Sequence, residues 1–425
     1  MRRFFKLFLI LIFLYLLFPS RVKAEEILTW GGCVKEAAKN HPDLIAAGEI
    51  IKQTQAVKQQ TASGLYPQVA AEVSGSTAQT SSSAGDSSKG DSYGYGVTGT
   101  QLLFDGVKTI NEVKAAGQNI IASQQSFKFT STTVRYKLRT AFVNLLTTQE
   151  MLRIAEEIFN IRRGNLELIV LRYESGLEHR GALLTAEADL ADAQYGIAQN
   201  KRSVVVAQQE LTKEMGRKQL KSISVQGDFK VKDSALVKPD FEVIAKKNPS
   251  LAELIAQKNS AEFSLKSAYG NFAPQLTGLA NASKAGDHWA PRGNNWNLGL
   301  NLSLPLFEGG LRVAQVAQAR ALVNQLKENE RSALDGIILT LQQSWALMQD
   351  AIENVKVQYL ALIATEERSK IAQAQYSIGF IAFDNWIIIE DNLVKAKRNY
   401  LAAQEAALLA EAKWIQAKGE VLEYE

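Results

Sequence analysis

Residues that carry chemistry are scarce in this chain. Its 425 residues include one cysteine and three histidines. Cys33 has no second cysteine with which to form an internal disulfide, and His41, His179 and His288 lie far apart in sequence. A metal centre or a nucleophile–base triad needs such groups in a cluster, and a cofactor phosphate needs a glycine loop that the chain does not offer. No catalytic, cofactor-binding or metal residue is therefore expected. Charge of one sign is missing as well. The net charge is +4, but Arg2, Arg3, Lys6, Arg21 and Lys23 all fall in the first 24 residues, which hold no acid. Without them the chain stands at −1, and a nucleic-acid partner is excluded. Beyond Leu7–Phe18 no run approaches the roughly 20 apolar residues of a spanning helix. Membrane insertion, if it occurs, must use strands.

Proline is the most informative scarcity. There are eight, none between 68 and 238 and none after 305. Proline costs about 3 kcal/mol in a helix interior, so these gaps permit very long helices. Residues 106–174 and 309–377 are rich in Ala, Gln, Glu, Lys, Leu and Arg, which favour them. Leu138, Leu145, Leu152, Phe159, Leu166 and Tyr173 recur at a spacing of seven. That spacing predicts a seam following a left-handed supercoil against a partner of similar length. Roughly 68 residues at about 1.5 Å each make a rod near 100 Å, too long for one globular domain. Residues 1–24 read as a signal peptide: a basic start, an apolar run and Val22-Lys23-Ala24 as cleavage site. Cys33 is expected to be a buried thiol, because Trp30-Gly31-Gly32 before it lacks a small-residue lipidation motif.

The chain repeats itself. Asn40-His41-Pro42-Asp43-Leu44 returns as Lys247-Asn248-Pro249-Ser250-Leu251, and Pro67-Gln68 as Pro274-Gln275. Leu103-Phe104-Asp105-Gly106 returns as Leu306-Phe307-Glu308-Gly309, and Tyr173 to Leu177 as Tyr376 to Phe380. The heptad column recurs as Leu341, Met348, Val355, Leu362 and Tyr376, broken only by Ser369. Landmarks returning in one order mark two copies of one unit. The first is assigned to 25–237, with strands 67–80 and 93–105, a long helix hairpin 106–216 and a segment 217–237. The second is assigned to 238–425, with strands 274–284 and 295–307, a hairpin 308–418 and a tail. Ser81–Ser92 reads as a flexible polar loop.

In the clearest strand Trp296, Leu298, Leu300, Leu302 and Leu304 alternate with Asn297, Gly299, Asn301 and Ser303. Period-two alternation over about ten residues predicts a lipid-facing barrel strand. Tyr93, Tyr95 and Val97 keep the same phase more weakly. Four strands cannot close a barrel, and open edges in lipid leave backbone groups unpaired at several kcal/mol each. Oligomerisation is then required, with eight, twelve or sixteen strands all allowed.

The order of these motifs, from Leu28-Thr29-Trp30 through the duplicated proline, Phe-acid-Gly and Tyr-to-Leu phrases, resembles the TolC-like outer-membrane efflux family. The resemblance implies a mainly α fold with a membrane β-barrel. A homotrimer would form a twelve-stranded barrel with four strands per chain, embedded in outer-membrane lipid. It would continue as a long α-helical barrel through the periplasm. It also implies a passive exit duct docked to a periplasmic adaptor (a membrane fusion protein) and an inner-membrane pump. The turns carrying Tyr173, Gly176, Leu177, Tyr376, Gly379 and Phe380 would form the periplasmic tip that docks. Residues 217–238 and the C-terminal end would make a belt around the helices. Family members place aspartates just after this turn. Here Ala182 takes the first such position and Asp384 is the candidate for an acidic entrance ring. Glu178, His179 and Arg180 read as exposed turn residues. Glu187 with Asp189, and Glu390 with Asp391, read as solvated helix faces. The alternative function is a periplasmic coiled-coil structural or adaptor protein that never enters a membrane.

Overall fold

The computed structural model describes residues 26–81, 87–219, 222–231 and 238–422. The expected signal peptide, the middle of the 81–92 loop and parts of the 217–238 segment lie outside the described residues.

Short local signals start each element. Thr29 caps the helix α1 (Trp30–Asn40), its hydroxyl accepting from the Gly32 N–H at 3.4 Å. The two proline phrases are helix starts: His41 caps α2 (Pro42–Ala62) and Asn248 caps α6 (Pro249–Gly270), each with proline in the first turn. His41 Nδ1 accepts from Asp43 N at 3.2 Å and Asn248 Oδ1 from Ser250 N at 2.9 Å. Such a side chain satisfies an amide the helix leaves unpaired, where proline has none to lose. Strands β2 (Gln68–Ser81) and β5 (Gln275–Gly286) begin directly after Pro67 and Pro274.

The rods are α3 (Lys108–Glu174) and α7 (Leu311–Ser377), 67 residues each. At about 1.5 Å per residue each is near 100 Å long. Each is entered from a strand through the Phe-acid-Gly phrase, where two successive residues take positive φ: Gly106 and Val107, then Gly309 and Gly310. The acid of the phrase steadies the first turn. Asp105 accepts from the Thr109 amide at 2.8 Å, and Glu308 pairs with Arg312 at 2.8 Å. Shorter helices run alongside: α2 and α6 near the strand end, α4 (Arg180–Glu214) and α8 (Phe383–Lys418) towards the far end. The short α5 (Phe241–Lys246) packs on α7.

Burial follows the sevenfold column only part of the way on α3. Leu138 and Leu145 are fully buried, whereas Leu152, Phe159 and Leu166 are half-exposed and Tyr173 is exposed. Further along, the buried side is Ile154, Ile158, Arg162, Asn165 and Ile169. A straight helix drifts about 20° per heptad, so a column at strict seven rotates off a neighbour that does not coil with it. On α7 the expected break is no break. Ser369 is buried in the seam beside Ala372 and Tyr376, because its hydroxyl donates to Glu390 at 2.5 Å.

Around the middle of α3 a core of Cys33, Val34, Leu138, Phe142, Leu145 and Leu211 gathers with the parallel pair β1 (Glu26–Leu28) and β4 (Ile223–Val225). Arg217 locks this belt, bonding Glu26 at 2.8 and 2.9 Å and Glu36 at 2.5 and 2.7 Å. Bidentate pairing of this kind fixes direction as well as charge. Cys33 is fully buried, and loss of water pushes its thiol up to about 12.

The second sheet runs β2, β3 (Ser87–Phe104), β5, β6 (Gly293–Ser303), every pair antiparallel. β3 starts at Ser87, not 93, because Ser87–Ser92 pair in unbroken register with Ser76–Ser81. A serine-rich composition reads as loop, but ladder hydrogen bonds ask only for backbone. β2 and β6 are open edges of the chain's sheet.

Candidate functional site

The residues singled out by the sequence fall in two regions: the turns at the ends of the rods and the faces of the four-stranded sheet.

The two turns are built alike. Gly176 sits at φ +71° and Gly379 at φ +80°. Leu177 N donates to Arg172 O at 2.8 Å and Gly176 N to Tyr173 O at 3.0 Å. Phe380 N donates to Gln375 O at 2.8 Å and Gly379 N to Tyr376 O at 3.0 Å. This pair of bonds closes a helix through a left-handed residue, which glycine adopts without a Cβ penalty. The motif usually seats the residue after the glycine on an apolar residue five positions earlier. Here those positions hold Arg172 and Gln375, so Leu177 and Phe380 are left 66% and 75% exposed. Ile378 is exposed beside them at 79%, a residue that motif reading alone passed over.

Tyr376 belongs elsewhere. It is fully buried, stacked on Trp386 with ring centroids 4.3 Å apart, in a core with Ile169, Ala182, Ala372 and Phe383. Assigned by resemblance to the docking tip, Tyr376 is instead a pillar between the two hairpins, because heptad position 376 still faces inward where its partner Tyr173 does not. Ala182, read as the first-copy counterpart of the entrance acid, is likewise buried and apolar. Glu178 is not a free turn residue: its side chain is 8% exposed, accepts from the Tyr376 hydroxyl at 2.7 Å and lies 3.9 Å from Arg172. Arg172 stacks 4.7 Å over the Tyr376 ring and donates to the Tyr376 carbonyl at 3.2 Å, a cation at the end of α7 where the helix dipole favours one. Burial and the neighbouring Glu178 carboxylate both raise the Tyr376 hydroxyl pKa. His179 is exposed and caps α4, accepting from Ala182 N at 3.1 Å. Asp384 is exposed in the first turn of α8, where a negative charge suits the helix N-terminus.

Of the carboxylates expected on solvated faces, Glu187 is exposed as expected, whereas Asp189, Asp391 and Glu390 are tied across helices. The buried Arg162 pairs with Asp189 of α4 at 3.5 Å and with Asp391 of α8. Lys397 of α8 reaches Glu157 at 2.9 Å and Glu366 at 3.2 Å, and Glu390 is buried on Ser369. Burial raises the Asp189 carboxyl against the opposing pull of Arg162, and Asp391 raises it further. Arg162 Nη1, Asn165 Nδ2 and Trp386 Nε1 are buried here without a hydrogen-bond partner.

In the sheet, register sorts the side chains. Trp296, Leu298, Leu300 and Leu302 stand opposite Ala282, Ala280, Gly278 and Leu276. The same face carries Val97 and Tyr95 of β3, then Ala71 and Val73 of β2. The other face carries Asn297, Asn301, Asn281, Thr98, Ser74 and Glu72. Trp289 adds an edge-on aromatic group with Tyr93 and Tyr95 at 6.3 and 6.4 Å. Among the described residues no helix is long and apolar enough to cross a membrane. Nor does any group of three His, Cys, Asp or Glu fit a metal ion there.

Rods near 100 Å long, joined to a short sheet with one apolar and one polar face, define an elongated protein with an amphipathic sheet at one end. A family described as outer membrane efflux protein matches residues 33–217 and 242–421. The chain belongs to that family, and its place is the outer membrane, with a large periplasmic portion. It is 22% identical over 338 residues to the outer membrane efflux protein BepC of Brucella suis, covering 74% of this chain and 72% of BepC. To outer membrane protein TolC of Escherichia coli it is 23% identical over 333 residues, covering 72% of this chain and 66% of TolC. Its fold matches crystallised CusC with a TM-score of 0.81 at 19% identity, over 91% of both chains.

Proposed function

We propose that three copies of this chain form a passive exit duct, a twelve-stranded barrel in the outer membrane continued by a helical barrel through the periplasm. A periplasmic adaptor docks at the tips and couples the duct to an inner-membrane pump. The carrying observation is the sheet: one apolar face, one polar face and two unpaired edges, β2 and β6. In lipid each open edge costs several kcal/mol per unpaired backbone group, and pairing β6 of one copy with β2 of the next removes both edges. Each half of the chain supplies one hairpin and one rod, so 25–237 and 238–425 act as two quasi-equivalent units. Leu177, Ile378 and Phe380 offer the adaptor an apolar contact, and Asp384 offers the entrance a negative charge. No bond of the cargo is made or broken. A periplasmic coiled coil outside the membrane would leave the apolar sheet face without a partner. The test is detergent extraction of the outer membrane, then mass measurement and planar-bilayer recording. A trimer that conducts supports the duct. A monomer, or protein recovered in soluble periplasm, overturns it.

A further inference from the structure

We infer that Glu72 gives the barrel lumen a preference for cations, so that the duct favours cationic over anionic solutes at its outer end. This rests on the trimeric duct proposed above.

The four strands of the second sheet hold four charged residues: Glu72, Lys89, Asp91 and Lys284. Register separates them. Lys89 stands opposite Gln79, Asp91 opposite Thr77 and Lys284 opposite Tyr95, all on the face that carries Trp296 and Leu300. Glu72 alone lies on the polar face, in the row Glu72, Gly96, Ser283, Asn295. The rest of that face is Asn, Ser, Thr, Gln, Gly and Ala, with Leu102 and Leu279 towards the helix end. Its carboxylate is exposed and meets no lysine or arginine on its own side of the sheet. The neighbouring strand cannot cover it. A Cβ built on Gly96 would fall 2.6 Å from Ser283 Cβ, so this row is held to a glycine beside the glutamate.

Threefold symmetry turns one carboxylate into a ring of three at a single height. The barrel wall and surrounding lipid have a low dielectric, which focuses the field of fixed charges along the lumen. Rings of Asp or Glu set cation preference in pores for this reason. The neutral Asn and Ser wall leaves nothing to oppose the ring.

The test is the reversal potential of the purified full-length protein in planar bilayers under a KCl gradient, with Glu72→Gln and Asp384→Asn in parallel. Trimer yield and conductance at 1 M salt control for folding. Wild-type channels should pass K⁺ in preference to Cl⁻. Glu72→Gln should lower that ratio by about tenfold at low salt, the lower end of the counter-ion enrichment such fields produce. The difference should fade near 1 M salt, where the Debye length is about 3 Å. A ratio unchanged in Glu72→Gln, or lost in Asp384→Asn alone, overturns the assignment to Glu72. A conducting wild type without cation preference overturns the ring and leaves the duct standing. A wild type that forms no channel overturns both.

Discussion

An arginine at Leu300 should cripple assembly where an arginine one residue on, at Asn301, should not. The magnitude follows from the strand. Trp296 sits at the hairpin end of the apolar row, and Leu300 lies four residues below it. At about 3.3 Å per residue and a tilt near 40°, four residues descend about 10 Å. The apolar band of such barrels is about 25 Å tall, which puts Leu300 close to its middle. A cation there costs about 2–4 kcal/mol per chain. Leu298→Arg, about 5 Å below Trp296 by the same geometry, should cost clearly less. Asn301 stands opposite Thr277 on the polar face, so Asn301→Arg should cost close to nothing. The assay is the yield of detergent-resistant, heat-modifiable trimer in outer-membrane fractions, with the urea midpoint of refolding into vesicles for those that assemble. Equal loss for Leu300→Arg and Asn301→Arg would refute the face assignment. A larger loss for Leu298→Arg than for Leu300→Arg would refute the depth.

At the tips, Leu177→Glu and Phe380→Glu should leave trimer yield intact and abolish export in cells carrying the partner pump; normal export would remove these residues from the docking surface. At the base of α3, Gly106→Ala should lower the midpoint of thermal unfolding sharply, since its Cβ would fall 2.3 Å from Ala273 Cβ and 2.7 Å from Gly270 O at φ +69°. Val107→Gly should raise stability by about 1 kcal/mol by relieving a branched residue at φ +64°, as measured by denaturant titration. Cys33, fully buried with its thiol pKa pushed up to about 12, should react with a thiol reagent at pH 8 only after unfolding; prompt labelling of the native trimer would contradict the belt packing.

Much of this architecture is local and therefore legible in one dimension. Proline at 42 and 249 behind a capping side chain starts a helix wherever it occurs, because the cap serves amides two residues away. Proline-free stretches of good helix formers become 67-residue rods for reasons internal to each turn. Alternation at period two puts Trp296 and Leu300 on one face of a strand whatever the strand packs against. Glycine at 176 and 379 marks the reversals because positive φ is a property of the residue itself.

What the linear pattern could not carry is which neighbour each side chain meets. Tyr173 and Tyr376 occupy equivalent positions, yet one is exposed and the other buried, since only the second faces Trp386 and Phe383 across the hairpin. Asp189 and Asp391 look like ordinary surface acids until α3 brings Arg162 between them from more than twenty and two hundred residues away. Ser369 breaks an apolar column on paper and completes the seam in space, because Glu390 approaches from the next helix. Ser87–Ser92 extend a strand because Ser76–Ser81 offer them a ladder. Burial, ion pairing and strand length at such places depend on contacts distant in sequence, and only the folded chain sets those distances.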